Sequence, residues 1–407
     1  MRLEIESLAG GGRGVARAGG KVWFVAGALP GEVVEAEPER ERAGVVEARV
    51  TGVVQASPWR EPSPCPVASA CGGCDLAHLR REGAAEALRL LARGALRHAD
   101  ATLVDAAARA AVTVSPMAWR LRARLHWDAG RAVLGFFGPR SHRTVAIDAC
   151  RVVSPLLLRT LPRLAAGLAG ARLGDGDLDW IEDLDASRAV AGWRGARAAM
   201  PRLAGLAGLH PLGTDGEIVA GGWGEEGVEL ALPVPLWVPV GAFFQGNRHL
   251  VPRLFARVAE LVRGLGGDTV VDLYGGVGFL AAAAVYGGAR EVALVEPNPA
   301  AARAAVRNLE GARIVCGTAE TYLARSPLDH AAVAIVDAPR TGVSAQVSGA
   351  LCDRPPSALI MLACDLGRFG RDAGRLLAGG FTLRSLELWD LFAGSHHVEA
   401  LATLARP

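Results

Sequence analysis

From Val240 onward, four short apolar runs alternate with Ala-rich stretches long enough to be helices; the runs read TVVDLY, EVALVE, AVAIVD and ALIMLA. A strand apolar on both faces must be covered on both faces. Helical crossovers between such strands give a parallel, doubly wound, Rossmann-like α/β sheet. This feature constrains the chain most, because it places any ligand outside the carboxyl ends of the strands. The rest of the chain differs in style. Residues 1–56 read as short strands at 3–8, 20–25, 32–37 and 44–54, separated by Gly-rich turns at 10–14 and 29–31. Closure into a small β-barrel would remove the edges that such strands expose. A Pro- and Cys-containing loop follows at 57–74, and then an amphipathic helix at 79–98. From 111 to about 240 the pattern is mostly strands and turns, with WRLRARLHW and RAVLGFF as strand candidates. The expected organisation is a barrel at 1–56, a mostly-β central domain at 57–240 and an α/β domain at 241–407.

Composition narrows the function classes. At 51% hydrophobic residues over 407 positions, the chain can build two or three cores and is not disordered. The net charge of +2 neither demands nor excludes a nucleic-acid partner. Lys21 is the only lysine, so arginine carries almost all the positive charge, and a given arginine means little by itself. The longest uncharged run, residues 230–247, holds Pro233, Pro235 and Pro239, which would break a membrane-spanning helix. The N-terminus MRLEIESLAG has no apolar signal core. A cytoplasmic monomer, away from membranes, is therefore expected. There thiols stay reduced, and the seven cysteines read as metal ligands or nucleophiles rather than a disulfide framework.

Three of them, Cys65, Cys71 and Cys74, lie within ten residues as CPVASACGGC. Gly72 and Gly73 let the backbone fold tightly enough for two thiolates to face one centre, and Cys150 in DACRVV is the best fourth ligand. Four thiolates suit zinc or an iron–sulfur cluster, and spacing alone does not choose.

VVDLYGGVGFL reads as strand, Gly-rich turn and helix. Gly276 and Gly278 let a ligand approach the backbone, and Glu296, ending the next strand, is placed to accept from ribose hydroxyls. With Ala281 the pattern also fits a dinucleotide fingerprint, but Asp272 ahead of the loop points to S-adenosylmethionine. Two later strands end in reactive groups, Asp337 and Cys364, and Glu399 opens a last strand. A thiol, carboxylates and a methyl donor in one crevice suit methylation at C5 of a uracil. A thiolate adds to C6, C5 becomes nucleophilic, and a base later removes the C5 proton.

These segments together resemble the bacterial RNA uracil-5-methyltransferases of the RumA/TrmA type along nearly the whole chain. IESLAGGGRGVARAGGKVWFVAGALPGEVVEAE resembles the TRAM domain, the RNA-binding barrel of these enzymes. CPVASACGGCDLAHL with Cys150 resembles the family's 4Fe–4S site, which implies an iron–sulfur cluster rather than zinc. FFQGN resembles FFQVN and implies Gln245 in the cofactor site; DLYGGVG, VEPNP and DAPRTG, with Tyr274, Gly276, Glu296 and Asp337, resemble the cofactor and substrate motifs. MLACDLGRFGRD resembles the nucleophile segment and DLFAGSHHVEAL the base segment, which implies Cys364 as nucleophile and Glu399 as base. The sequence departs from the family at Gly275, where cysteine is usual, at Ala338, Ala363 and Leu366, and at residues 393–395. A barrel combined with a cluster implies 23S rRNA as the substrate.

Rival readings are a tRNA uracil-5-methyltransferase and a decayed member acting as an RNA-binding assembly factor. A radical S-adenosylmethionine methylthiotransferase would need C-x3-C-x2-C and a TRAM domain at the other end. An NAD-dependent oxidoreductase leaves Cys364 and the cysteine cluster without a role.

Overall fold

The computed structural model describes residues 1–196, 200–326, 328 and 332–406. The four apolar runs are neighbouring strands, Thr269–Leu273, Glu291–Glu296, Val333–Asp337 and Ala358–Ala363. In space the sheet runs Arg313–Cys316, Glu291–Glu296, Thr269–Leu273, Val333–Asp337, Ala358–Ala363, Glu399–Ala405, Thr382–Trp389 and Ala111–Thr113. The first five are mutually parallel. Their side chains alternate between two apolar clusters. Val270, Val333 and Ile335 face one, while Val271, Ala334 and Val336 face the other. Burial on both faces, at roughly 1.5–3 kcal/mol for each large aliphatic side chain, is why these runs do not alternate in polarity.

The expectation of a parallel sheet is corrected at one edge. Glu399–Ala405 is antiparallel to both neighbours. This places the start of that strand where the parallel strands end. Ala363 pairs with Ala400, so Cys364 and Glu399 emerge together at the carboxyl edge.

The amphipathic helix forms at Ala84–Leu96, a second helix follows at Ala101–Arg109, and both pack into the apolar cluster under Leu359, Phe369 and Leu388. Strand Ala111–Thr113 then joins the far edge of the C-terminal sheet beside Thr382–Trp389.

The N-terminal sheet has six strands, in the order Arg2–Glu4, Val33–Arg42, Val45–Gln55, Lys21–Ala26, Arg13–Ala18 and Ser7–Ala9. Its two outer strands are continuous through Ile5 and Glu6, whose N–H groups donate to the carbonyls of Glu32 and Val15, so the sheet closes as expected for a barrel. Strand Arg13–Ala18 was not among those read from the sequence, since its small residues follow directly on the glycine run. The barrel's basic residues are only partly paired: Arg2, Arg40 and Arg42 are exposed, while Arg49 pairs with Glu37. Arg13 faces Glu47, Arg17 pairs with Glu6, and Lys21 pairs with Glu41.

The central sheet has seven strands, from Arg122–Asp128 to Trp223–Gly224 in chain order, and packs against helix Pro155–Gly170. Pro162 inside that helix disguised it in the sequence. Its start is well specified: Ser154 accepts from the Leu157 N–H at 3.0 Å and Pro155 occupies the first turn.

Candidate active site

A cavity of about 600 Å³ opens at the carboxyl edge of the C-terminal sheet. Cys364, Glu399, Asp337, Gln245, Glu296, Tyr274 and Gly276 all line it. Seven of the eight sequence-proposed catalytic and cofactor residues thus share one wall. Asp272 does not reach it. That carboxylate is fully buried beneath the Gly-rich loop and accepts from the Ala281 N–H at 3.0 Å, securing the first turn of helix Phe279–Gly287. Burial, and then Asp337, raise its pKa well above the ordinary range.

The loop is shaped by its backbone. Tyr274 sits at φ +67° and Gly278 at φ +95°. Glu296 holds the loop from the next strand, with one oxygen accepting from the Gly276 N–H at 2.9 Å and the other from the Asn298 N–H at 2.7 Å. Asn298 in turn caps helix Pro299–Asn308, which accounts for the VEPNP segment. Asn308 donates to the carbonyls of Val277 and Trp237, tying the loop to the hairpin at 227–239.

The FFQGN segment is fixed by its asparagine. Asn247 is fully buried, donates to Ser115 and to the Leu391 carbonyl, and accepts from the Leu250 N–H ahead of helix Val251–Gly264. Gln245 donates to Asp337 at 3.3 Å. Phe244 is buried, whereas Phe243 is 67% exposed at the cavity mouth with the Arg122 guanidinium 5.6 Å from its ring. The sequence did not separate Phe243 from Phe244, because two adjacent phenylalanines carry no periodic signal. Arg340 was also missed as a lining residue; its only signal was its place after Asp337.

The electrostatics favour a cationic ligand. Among the described lining residues Asp215, Glu296, Asp337 and Glu399 are acidic and Arg340 alone is basic. Burial, and then Asp337, raise the Glu399 carboxyl well above its ordinary value, and burial pushes Asp337 up to about 6 against the Gln245 amide. The two carboxyls oppose each other's ionisation. Burial and then Glu399 push the Cys364 thiol up to about 11, with Arg340 acting the other way.

Two departures from the family motifs have local causes. A Cβ at Gly275 would stand 2.3 Å from Leu294 Cγ, so Leu294 fills the space a side chain there would need. The segment after Cys364 still caps its helix: Asp365 accepts from the Arg368 N–H at 2.9 Å, with Leu366 buried in the first turn.

A second cavity, of about 250 Å³, is lined by all four candidate ligand cysteines, Cys65, Cys71, Cys74 and Cys150. Burial pushes Cys74 up to about 12, with Cys150 adding to it and Arg120 opposing. Arg120 is half-buried, with its guanidinium 4.7 Å from the Trp119 ring and 5.3 Å from the Phe136 ring, and its Nε is buried with no hydrogen-bond partner among the described residues. Among the described residues no group of three or more Cys, His, Asp or Glu side chains is placed to hold a single metal ion.

Residues 1–51 match the TRAM domain model. An uncharacterized RNA methyltransferase of Gloeobacter violaceus is 32% identical over all of this chain and 96% of its own length. The 23S rRNA (uracil(1939)-C(5))-methyltransferase RlmD of Pseudomonas putida is 32% identical over 99% of this chain and 93% of its own. The chain belongs to the RNA (uracil-C5)-methyltransferase family. This methyltransferase also shares its fold with the Pyrococcus abyssi tRNA (uracil-54, C5)-methyltransferase solved with S-adenosyl-L-homocysteine. That match has a TM-score of 0.78 and 21% identity, and it covers 100% of this chain and 99% of that one. No helix among the described residues is long and apolar enough to cross a membrane.

Proposed function

We propose that this RNA methyltransferase uses S-adenosylmethionine to methylate C5 of a uracil in 23S rRNA, with Cys364 as nucleophile and Glu399 as base. The observation that carries the proposal is the meeting of Cys364 and Glu399 at one sheet edge, over a cavity whose lining is acidic. S-adenosylmethionine supplies an electrophilic methyl on a positive sulfonium. That charge suits Asp337 and Glu399, whereas the pyrophosphate of a dinucleotide would meet four acidic side chains. The same positive charge brings the Cys364 thiol down towards ionisation.

Cys364 then gives up its proton and bonds to C6 of the uracil. The C5=C6 electrons move into an enolate, and C5 takes the methyl as the methyl–sulfur bond breaks. Glu399 removes the C5 proton, the C5=C6 bond re-forms, and the sulfur–C6 bond breaks to release Cys364. The net products are a methylated uracil, the demethylated thioether and one proton. Glu296 holds the Gly-rich loop and offers its carboxylate to the ribose hydroxyls, while Phe243 offers an aromatic face to a base at the cavity mouth.

We assign a 4Fe–4S cluster to Cys65, Cys71, Cys74 and Cys150. Their thiols fit it on two grounds. All four line one cavity of about 250 Å³. Arg120 is a half-buried cation at the same cavity whose buried Nε is unpartnered, and it suits a negative group there. When bound, the cluster would supply a rigid anionic anchor tying the loop at 65–74 to the segment at Cys150.

The preference for 23S rRNA over tRNA rests on the RlmD relatives at 30–32% identity, which match nearly the whole chain. Nucleoside mass spectrometry of 23S rRNA and tRNA, from cells with and without the gene, tests it. Loss of one 5-methyluridine from 23S rRNA supports the proposal. Loss from tRNA alone moves the substrate, and no loss from either favours a non-catalytic assembly factor.

Two further outcomes follow. Glu296→Ala is expected to weaken S-adenosylmethionine binding by about 1–3 kcal/mol, the scale of leaving polar partners unpaired, as measured by calorimetry. Unchanged affinity would remove Glu296 from the site. Deleting residues 1–56 is expected to raise the apparent KM for RNA while leaving cofactor affinity alone. Because Arg2, Arg40 and Arg42 are exposed beside the paired basic residues, its own contribution should weaken with salt. Equal RNA affinity without the barrel would assign it another role.

A further inference from the structure

The loop that leads into Glu399, residues 390–398, does not pack only on its own sheet. It lies against the cysteine loop. The Leu76 N–H donates to the Gly394 carbonyl at 3.0 Å, and Trp119 Nε1 donates to the Ala393 carbonyl at 3.0 Å. Gly394 sits at φ +89°, and a Cβ there would stand 3.3 Å from Cys74 Sγ. The contact is completed by Asp75, next to Cys74, whose Oδ2 is hydrogen-bonded to His396 Nδ1. The barrel reaches the same point: a Cβ at Gly12 would stand 3.0 Å from Asp75 Cγ. Three residues after His396, the chain enters the strand that begins at Glu399.

We infer that Asp75 and His396 form a clasp that positions Glu399 from the cysteine loop. Both are positioning residues: neither lines the cavity that holds Cys364 and Glu399. The inference rests on the reading of Glu399 as the base. Proton removal from C5 requires the carboxylate to stand within hydrogen-bond reach of that proton, and a small displacement costs rate steeply. Addition of Cys364 and methyl transfer move no proton to this loop, whose one lining residue among those described is Phe392. Loosening the clasp therefore slows the last step and spares the earlier ones. A group bound by the four thiols would hold the cysteine loop in place and so act on catalysis through the position of the base.

The test uses the iron-loaded full chain, S-adenosylmethionine and 23S rRNA transcribed in vitro. The formation and decay of the denaturant-stable protein–RNA adduct are followed by rapid quenching. In His396→Ala and Asp75→Ala, adduct formation and cofactor affinity should match the parent chain, while adduct decay slows about tenfold. The double variant should be no slower than either single one, because both remove one contact. His396→Asn, which retains a donor, should recover most of the decay rate. A second readout does not depend on turnover. Deuterium uptake by residues 390–398 should quicken when iron is stripped by a chelator, and should be quick in loaded His396→Ala.

Unchanged decay in His396→Ala, an equal slowing of formation and decay, or a double variant slower than both singles would each overturn the clasp. So would deuterium uptake that ignores iron removal. Glu399→Gln is the internal control. If that variant does not accumulate adduct, the base assignment itself fails; if it does while His396→Ala decays normally, only the clasp fails.

Discussion

Cys364→Ala is expected to abolish both methylation and the covalent protein–RNA complex, with a loss of rate on the order of 10⁴ or more, as removal of a nucleophile produces elsewhere. Glu399→Gln should fail differently. Its amide cannot take the C5 proton, so addition and methyl transfer proceed and the chain accumulates as an adduct with methylated RNA. Turnover then falls by roughly a hundred- to ten-thousand-fold, the usual worth of a general base. A denaturing gel with labelled RNA separates the two outcomes. Normal turnover by Glu399→Gln would shift the base to Asp337, the other carboxyl at this edge. The same carboxyls set the pH dependence. Burial and mutual repulsion raise both, Asp337 to about 6, so the protonated pair is stable below that region and cannot accept the C5 proton. Turnover should therefore rise with pH through and above about 6, as the pair ionises. A turnover that falls over that range would contradict this role.

Iron removal should have the second largest effect. Protein purified without oxygen is expected to be brown and to carry about four irons per chain. Stripping the iron, or replacing Cys71 by serine, leaves the half-buried Arg120 without that counter-charge and its buried Nε unpartnered. A buried donor left unsatisfied costs about 1–3 kcal/mol. With about 1–3 kcal/mol lost from the unit that melts, Tm falls by roughly 2–12 °C for a unit of 150–250 residues. Differential scanning calorimetry with parallel iron analysis checks this. A colourless protein with one zinc per chain, or a Tm indifferent to iron, would contradict the cluster.

Much of the site was legible because its residues sit where local pattern is strongest. The runs ending at Asp337 and Cys364 are short, wholly apolar and bounded, so strand and strand end coincide in the sequence. Gln245 was visible only through resemblance, since nothing in FFQGN is periodic, and the role of Asn247 was not read at all; the structure shows Asn247 as the buried tie that sets the segment in place. Asp272 was read as a ligand because it stands ahead of the loop, yet a strand residue there points under the loop rather than into the cavity. The antiparallel direction of the last strand was not readable from composition, because both faces of Glu399–Ala405 are buried as in a parallel strand. Helix Pro155–Gly170 was hidden by its internal proline. The convergence of Asp75 with His396 joins residues 321 positions apart, which no local pattern records.

The most direct test of Cys364 chemistry at C5 is mass spectrometry on the complex formed with 5-fluorouracil-substituted 23S rRNA. Fluorine at C5 leaves no proton for Glu399 to remove, so addition and methyl transfer should stop at a stable adduct. Digestion should then yield one cross-linked peptide, with the RNA fragment on Cys364 and one methyl on the fluorinated ring. No complex, a cross-link at Cys316 or Cys352, or a methyl found anywhere but that ring would contradict the mechanism.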